Sequence, residues 1–282
     1  MIESAERTCD RLSFLSLEIT GRCQLHCEHC YADSGPGRGH GVMLAQDWSA
    51  VLGEAALLGV QRIQLIGGEP TLHPDLQPLV ERALGLGLEV EVFSNLVRIP
   101  PRLWDLFGQP GVRLACSYYS TRPDVHDRIT RRPGSHARTR AAIEEAMRRR
   151  IPLRVGVVVL EPDQDTEAVR AELTRLGVER IEIDHVRQVG RGARGRPPSV
   201  EDLCGSCGDR KLAVSPHGDV WPCVMARWMT LGNVRDQRLG EVYRSSAGVR
   251  RELQEAMSAR RRCVPHDGGC GAPVCCIPPH LR

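Results

Sequence analysis

Between residues 12 and 185, six short runs rich in Val, Ile and Leu (13–19, 62–66, 88–93, 112–118, 153–160 and 180–184) alternate with helical patterns. No other feature restricts the fold as much. Trp48, Val51, Leu52 and Ala55 share one face of 47–58, and Leu76, Leu79, Val80 and Ala83 one face of 75–84, with Gly85 as a stop. Residues 136–149 carry Ile143, Ala146 and Met147 and finish in three arginines, which suits a helix C-terminus. Asp165 stands where it can cap a helix bearing Val169, Leu173 and Leu176, closed by Gly177. Six βα units in a row imply a parallel sheet, because parallel strands need crossover connections. Six units instead of eight predict an α/β fold of the partial (β/α)6, TIM-like barrel type, with its chemistry at the C-terminal strand ends.

The Gly/Arg/Pro-rich stretch GRGARGRPPS (190–199) reads as a linker. It divides the chain into a barrel, residues 1–189, and a small cysteine-rich tail, residues 190–282. Within the tail KLAVSPHGDVWPC predicts a hairpin turning at Pro216 to Asp219. The longest apolar run, Val155 to Leu160, is too short to cross a bilayer, and no secretory signal opens the chain, so a cytoplasmic protein without membrane contact is expected. Of 38 basic residues Lys211 alone is lysine, yet the net charge is only +3. Arginine clusters at 148–150, 190–196 and 260–262 reflect either coding bias or a face for an anionic partner. With 4% aromatic residues for stacking on bases, nucleic acid is not the expected partner.

The 12 cysteines are the most informative count, since a thiol-rich chain without a secretory signal more often uses them for metals or catalysis than for disulfides. Cys23-x3-Cys27-x2-Cys30 comes directly after the first strand. Three thiolates on one short loop can hold three corners of a metal cluster and leave the fourth open. A zinc site completed by His26 or His29 is the competing reading.

RCQLHCEHCY, with Tyr31 in its aromatic position, resembles the CxxxCxxC motif of radical SAM enzymes. The resemblance implies a 4Fe–4S cluster on Cys23, Cys27 and Cys30 with S-adenosylmethionine chelating the open iron. Gly67-Gly68-Glu69-Pro70, after the second strand, resembles the family's GGEP motif. There glycines let the protein backbone approach the cofactor closely and Glu69 can accept from its amino group. By the same resemblance Ser94, Asn95 and Ser117 contact the cofactor, and Arg128 and Arg131 are candidates for its carboxylate. Strand five is only partly like the family's adenine-binding pattern.

In the tail, ten residues separate Cys207 from Gly218 and four separate Gly218 from Cys223, resembling the start of SPASM and twitch domains. These bind one or two auxiliary 4Fe–4S clusters. The resemblance makes Cys204, Cys207, Cys223, Cys263, Cys270, Cys275 and Cys276 ligands. His266 stands where the pattern has cysteine, and seven cysteines cannot supply two clusters with four thiolates each. One cluster is expected, with two clusters, or zinc or structural thiols, as alternatives. Cys116 reads as a core thiol because strand alternation sets it opposite Ser117, with a hydrogen-donor role as the other reading. The Gly-rich SGPGRGHG (34–41) is either a flexible linker or a mobile flap.

The activity implied by the resemblance is that of an enzyme that abstracts hydrogen from a ribosomally made precursor peptide, crosslinking, epimerising or oxidising it. An electron donor of the flavodoxin or ferredoxin kind is implied as well. About eleven residues precede strand one, so leader recognition falls to a separate protein or to the enzyme directly. The alternatives are a dehydrogenase or epimerase of a sugar or aminocyclitol, and a non-catalytic zinc module.

Overall fold

The structure is a computed structural model and describes residues 11–261. Six parallel strands appear where the apolar runs place them: β1 (Phe14–Thr20), β2 (Arg62–Gly67), β3 (Glu89–Phe93), β4 (Val112–Tyr118), β5 (Leu153–Val159) and β6 (Arg180–His185). Between them run α1 (Ala45–Leu57), α2 (Leu76–Gly85), α3 (Pro101–Phe107), α4 (Pro123–Thr130), α5 (Ser135–Arg148) and α6 (Thr166–Arg175). The Asp165 carboxylate accepts from the Ala168 amide at 2.9 Å and caps α6. Helices α3 and α4 are additions to the sequence reading. Each starts on a proline, whose fixed φ suits the first turn, and each is too short for its apolar spacing to repeat.

Strand alternation sorts the sheet into two faces. Leu15, Leu17, Ile63, Leu65, Val90, Val92, Leu114, Val155 and Val157 join one core with Trp48, Leu79, Phe107 and Ile143 from the helices. Polar side chains hold the opposite face together. Ser16 donates to Gln64, Gln64 donates to Glu91 at 2.7 Å, and Arg154 donates to Glu91 at 2.7 Å and to Glu182 at 3.3 Å.

The sheet does not stop where the tail begins. β7 (Lys211–Val214) lies parallel to β1, with Phe14 opposite Lys211 and Leu17 opposite Val214. β8 (Asp219–Trp221) and β9 (Gly232–Asn233) are added antiparallel, giving the order β6-β5-β4-β3-β2-β1-β7-β8-β9. The expected hairpin is β7–β8, its turn closed by the Ser215 amide donating to the Asp219 carbonyl at 2.8 Å. Leu212, Val214 and Val220 join the same apolar core, with Leu239 and Val242 of α7 (Leu239–Ser245). α8 (Ala247–Arg261) ends the described chain and brings Leu253 and Met257 against Cys207 and Cys223. No described helix is long and apolar enough to cross a membrane.

Candidate active site

The C-terminal strand ends converge on a cavity of about 150 Å³ lined by Cys23, Cys27 and Cys30 together with Gly67, Gly68, Asn95 and Ser117. The cysteine loop is anchored before any cofactor is considered. Its amides at His26 and Glu28 donate to the Thr130 and Ile129 carbonyls at the end of α4, at 3.2 and 3.0 Å. Amides of Leu25 and Ser34 point at the sulfurs of Cys23 and Cys30, each at 3.4 Å, and the Asn95 side-chain amide approaches the Cys23 sulfur at 3.6 Å. Donors aimed at sulfur are one of the levers that tune an iron–sulfur cluster. Burial, then the neighbouring Glu69, push the Cys23 thiol up to about 12, and burial pushes Cys27 higher still. The free Cys23 and Cys27 thiols therefore keep their protons, and iron ligation releases them.

The two glycines have a steric cause that can be read atom by atom. A Cβ on Gly67, whose φ is +122°, would sit 2.4 Å from the Thr20 carbonyl oxygen, and one on Gly68 would sit 2.2 Å from that of Arg22. Amides of Gly68 and Glu69 donate to those same two carbonyls at 2.6 and 2.8 Å. The motif thus clasps the base of the cysteine loop. Glu69 is fully buried: one oxygen accepts from the Thr71 amide and hydroxyl and the Ser94 hydroxyl, the other from the Asn95 amide at 2.8 Å. Where the resemblance gives Glu69 a cofactor amino group, the structure gives it the joint between the β2 and β3 ends. Ser94 and Pro70 are buried in that joint, away from the cavity lining.

The two candidates for the cofactor carboxylate lie elsewhere. Arg128 pairs with Glu161 at 3.0 Å, both about half exposed, and Arg131 is the left-handed cap of α4; neither lines the cavity. The buried face of α4 is His126, Ile129 and Thr130, so helical geometry turns Arg128 outward. Cys116 is fully buried in the apolar core between sheet and helices, on the face opposite Ser117, and this takes it away from any hydrogen transfer in the cavity. The 34–41 segment is tied down: Gly39 accepts from the Gly21 amide at 3.0 Å, and Gly41 lies against the Pro216 carbonyl.

Sequence reasoning missed Tyr119 and His126 and offered His29 only as a zinc ligand; the three line the cavity and meet edge to face, His29 to Tyr119 at 5.0 Å and Tyr119 to His126 at 5.1 Å between ring centres. Alternation places Tyr119 on the Ser117 face, a signal that a strand ending at 118 does not carry. Burial, then Arg191, pull His29 down to about 4, so its ring is neutral. Asp184, Arg187 and Met225 complete the wall, the first two joined at 2.6 Å.

The donor set fits the implied cofactors. Three thiols share one wall, and the buried His29 Nδ1, Ser34 Oγ and His126 Nδ1 line the same cavity without a hydrogen-bond partner, as a polar nucleotide requires. Among the described residues no three or more Cys, His, Asp or Glu side chains converge as ligands of a single metal ion. A cluster takes one thiolate per iron and needs no such convergence.

A second group of thiols gathers in the tail. The Cys207 and Cys223 sulfurs are 2.7 Å apart, and hydrogen bonds to Cys204 and Cys223 raise Cys207. Cys263, Cys270, Cys275 and Cys276, with His266, lie outside the described residues. Between the two thiol groups Arg227 Nη1 donates to both oxygens of the buried Glu18, at 2.6 Å to one of them, and the guanidinium stacks 4.4 Å from the Trp221 ring centre and 5.9 Å from that of Tyr31. Tyr31 and Ser34 form a wall shared with an open groove of about 970 Å³, which continues along Arg38, Arg196, Pro198, His217 and Trp228.

Residues 17–174 match the family profile of the radical SAM superfamily, and residues 204–270 match SPASM, an iron-sulfur cluster-binding domain. A PqqA peptide cyclase of Ruegeria pomeroyi is 33% identical over 199 residues, covering 69% of this chain and 52% of that protein, so the chain spans about half its length. A PqqA peptide cyclase of Xanthomonas campestris is 27% identical over 270 residues, covering 80% of this chain and 72% of the relative. The crystal structure of Streptococcus suis SuiB bound to precursor peptide SuiA shares the fold, with a TM-score of 0.72 at 14% identity over 89% of this chain and 69% of that one.

Proposed function

The chain belongs to the radical SAM superfamily, and from that premise we propose that it modifies a ribosomally made precursor peptide by removing hydrogen from an unactivated C–H bond. When bound, the 4Fe–4S cluster and S-adenosylmethionine supply the 5′-deoxyadenosyl radical that does so. The protein's part is to hold and to exclude. Cys23, Cys27 and Cys30 each take one iron of the first cluster. Gly67 and Gly68 keep the backbone close to it, while Asn95, Ser117, His29 and His126 offer polar groups to the nucleotide. Cys204, Cys207 and Cys223 would hold an auxiliary cluster, which would supply an acceptor for the electron left after hydrogen removal, in a tail that continues the barrel's sheet and core.

The groove of about 970 Å³ carries this reading, because an open groove sharing Tyr31 and Ser34 with the cofactor cavity suits an extended peptide better than an enclosed sugar. That two relatives are named peptide cyclases supports crosslinking over epimerisation or oxidation. A flavodoxin or ferredoxin supplies the first electron in the cytoplasm.

The test is to incubate the reduced enzyme, loaded with iron and S-adenosylmethionine, with precursor peptides from neighbouring genes and separately with aminocyclitols. A loss of hydrogen mass from a peptide is the expected result. A mass change confined to the small molecules overturns the proposal. Cys27→Ala removes one iron ligand and abolishes 5′-deoxyadenosine formation, measured by chromatography.

A further inference from the structure

Residues 190–193, read from the sequence as the start of a linker, form a single 3₁₀ turn laid across the cysteine loop. One guanidinium there makes three contacts. Arg191 Nε donates to the Cys27 carbonyl at 2.8 Å, Nη1 to the Asp33 carboxylate at 2.8 Å, and Nη2 to the Ser34 carbonyl at 2.7 Å. The Arg191 amide adds a fourth bond, to the Cys30 carbonyl at 3.0 Å. The fit is close on both sides of it. A Cβ on Gly190, whose φ is +58°, would lie 2.3 Å from the Tyr31 carbonyl oxygen, and one on Gly192 would lie 2.5 Å from that of Arg187. The Arg191 side chain is 16% exposed.

A flexible connector needs none of this. Carbonyls of a loop buried beneath a turn must find donors, and a planar fork with fixed N–H directions reaches three acceptors that an ammonium cannot reach together. We propose that Arg191 is a positioning residue of the radical-generating site. It locks the loop from Cys27 to Ser34 into the shape that presents its thiols, and it holds a permanent positive charge beside the cluster they carry. The charge is only partly answered locally, since Asp33 is half exposed and is shared with Arg38. The cluster's potential responds to nearby charge as well as to its ligands. The attachment of the tail to the barrel is therefore also the brace of the first cluster.

The two parts of the role separate in the full-length enzyme with Arg191→Gln and Arg191→Lys. Hydrogen exchange of amides within 24–34 is measured alongside the midpoint potential and electron paramagnetic resonance of the first cluster. Both variants lose the fork, so exchange over that stretch rises about tenfold or more, because bonds to a charged donor exceed the ~1.4 kcal/mol that a factor of ten represents. Arg191→Gln also loses the charge, and its midpoint becomes more negative, whereas Arg191→Lys keeps the wild-type midpoint. Auxiliary-cluster signals and far-ultraviolet circular dichroism stay unchanged in both. Wild-type exchange over 24–34 in the two variants overturns the bracing. A wild-type midpoint in Arg191→Gln overturns the influence of its charge on the cluster. Should Arg191→Gln fail to fold, Arg191→Lys decides the bracing by exchange alone, and Arg191→Met takes the place of Gln for the potential.

Discussion

One methyl group is enough to disturb the first thiol site. A Cβ on Gly68 meets the Arg22 carbonyl at 2.2 Å, immediately before Cys23, and neither backbone can yield without moving the loop. Gly68→Ala is expected to cost about 1–3 kcal/mol, the usual range for forced overpacking. It lowers both the melting temperature and the iron retained by the first cluster; wild-type values of both refute the steric account. Cys116 gives the opposite expectation. Cys116→Ala removes an atom from the apolar core and lowers stability while substrate conversion continues; loss of conversion at unchanged stability is the contrary outcome. At this scale sequence reading finds residues whose placement follows from backbone spacing, as with the cysteine triplet and the glycine pair that line one cavity. It stops short where the role depends on a helix's rotation, since nothing in HDRITRR declares that His126 and Thr130 face inward while Arg128 faces solvent.

Single polar residues inside apolar strands turn out to organise a whole face of the sheet. Glu91 and Arg154 are both buried, and the pair bridges β3 and β5. Burial raises the Glu91 carboxyl, but the charge of Arg154 and the hydrogen bonds from Arg154 and Gln64 outweigh it, so Glu91 lies below its ordinary value of 4.5. A carboxylate lowered by folding stabilises the protein above its unfolded value and loses that contribution as pH falls through its lowered value. Glu91→Gln is expected to cost about 3 kcal/mol at neutral pH, in the range for breaking a buried pair. In urea unfolding the gap between wild type and variant then closes as pH falls below 4.5. A gap that stays constant with pH removes the ion pair from the stability of the sheet. The six strands are legible because buried parallel strands are written as apolar runs. The 190–193 turn is not, because Gly and Arg there signal flexibility and solvent unless the loop they fit is already in view.

For the molecule as a whole, the decisive feature is that β7 is the second neighbour of β1. The barrel and the cysteine-rich tail share one sheet and one apolar core, with Leu212, Val214, Leu239 and Val242 contributed from beyond residue 190. A chain ending at residue 189 is therefore expected to aggregate, since it bares the β1 edge and the core beneath it. Size-exclusion chromatography reads this, and a monomeric truncated protein retaining the first cluster refutes it. The sequence pattern separates barrel from tail by composition, which carries no information about strand neighbours.

The hydroxyl of Ser13 reaches the carbonyl of Arg210 across 197 positions of chain. A ribosome adding roughly 5–20 residues per second needs about 10–40 seconds to make that stretch. Throughout that interval the nascent β1 edge is unshielded, and for most of it the loop beyond lacks the brace of Arg191. The stretch made after residue 189 thus closes over a cysteine loop that was made first.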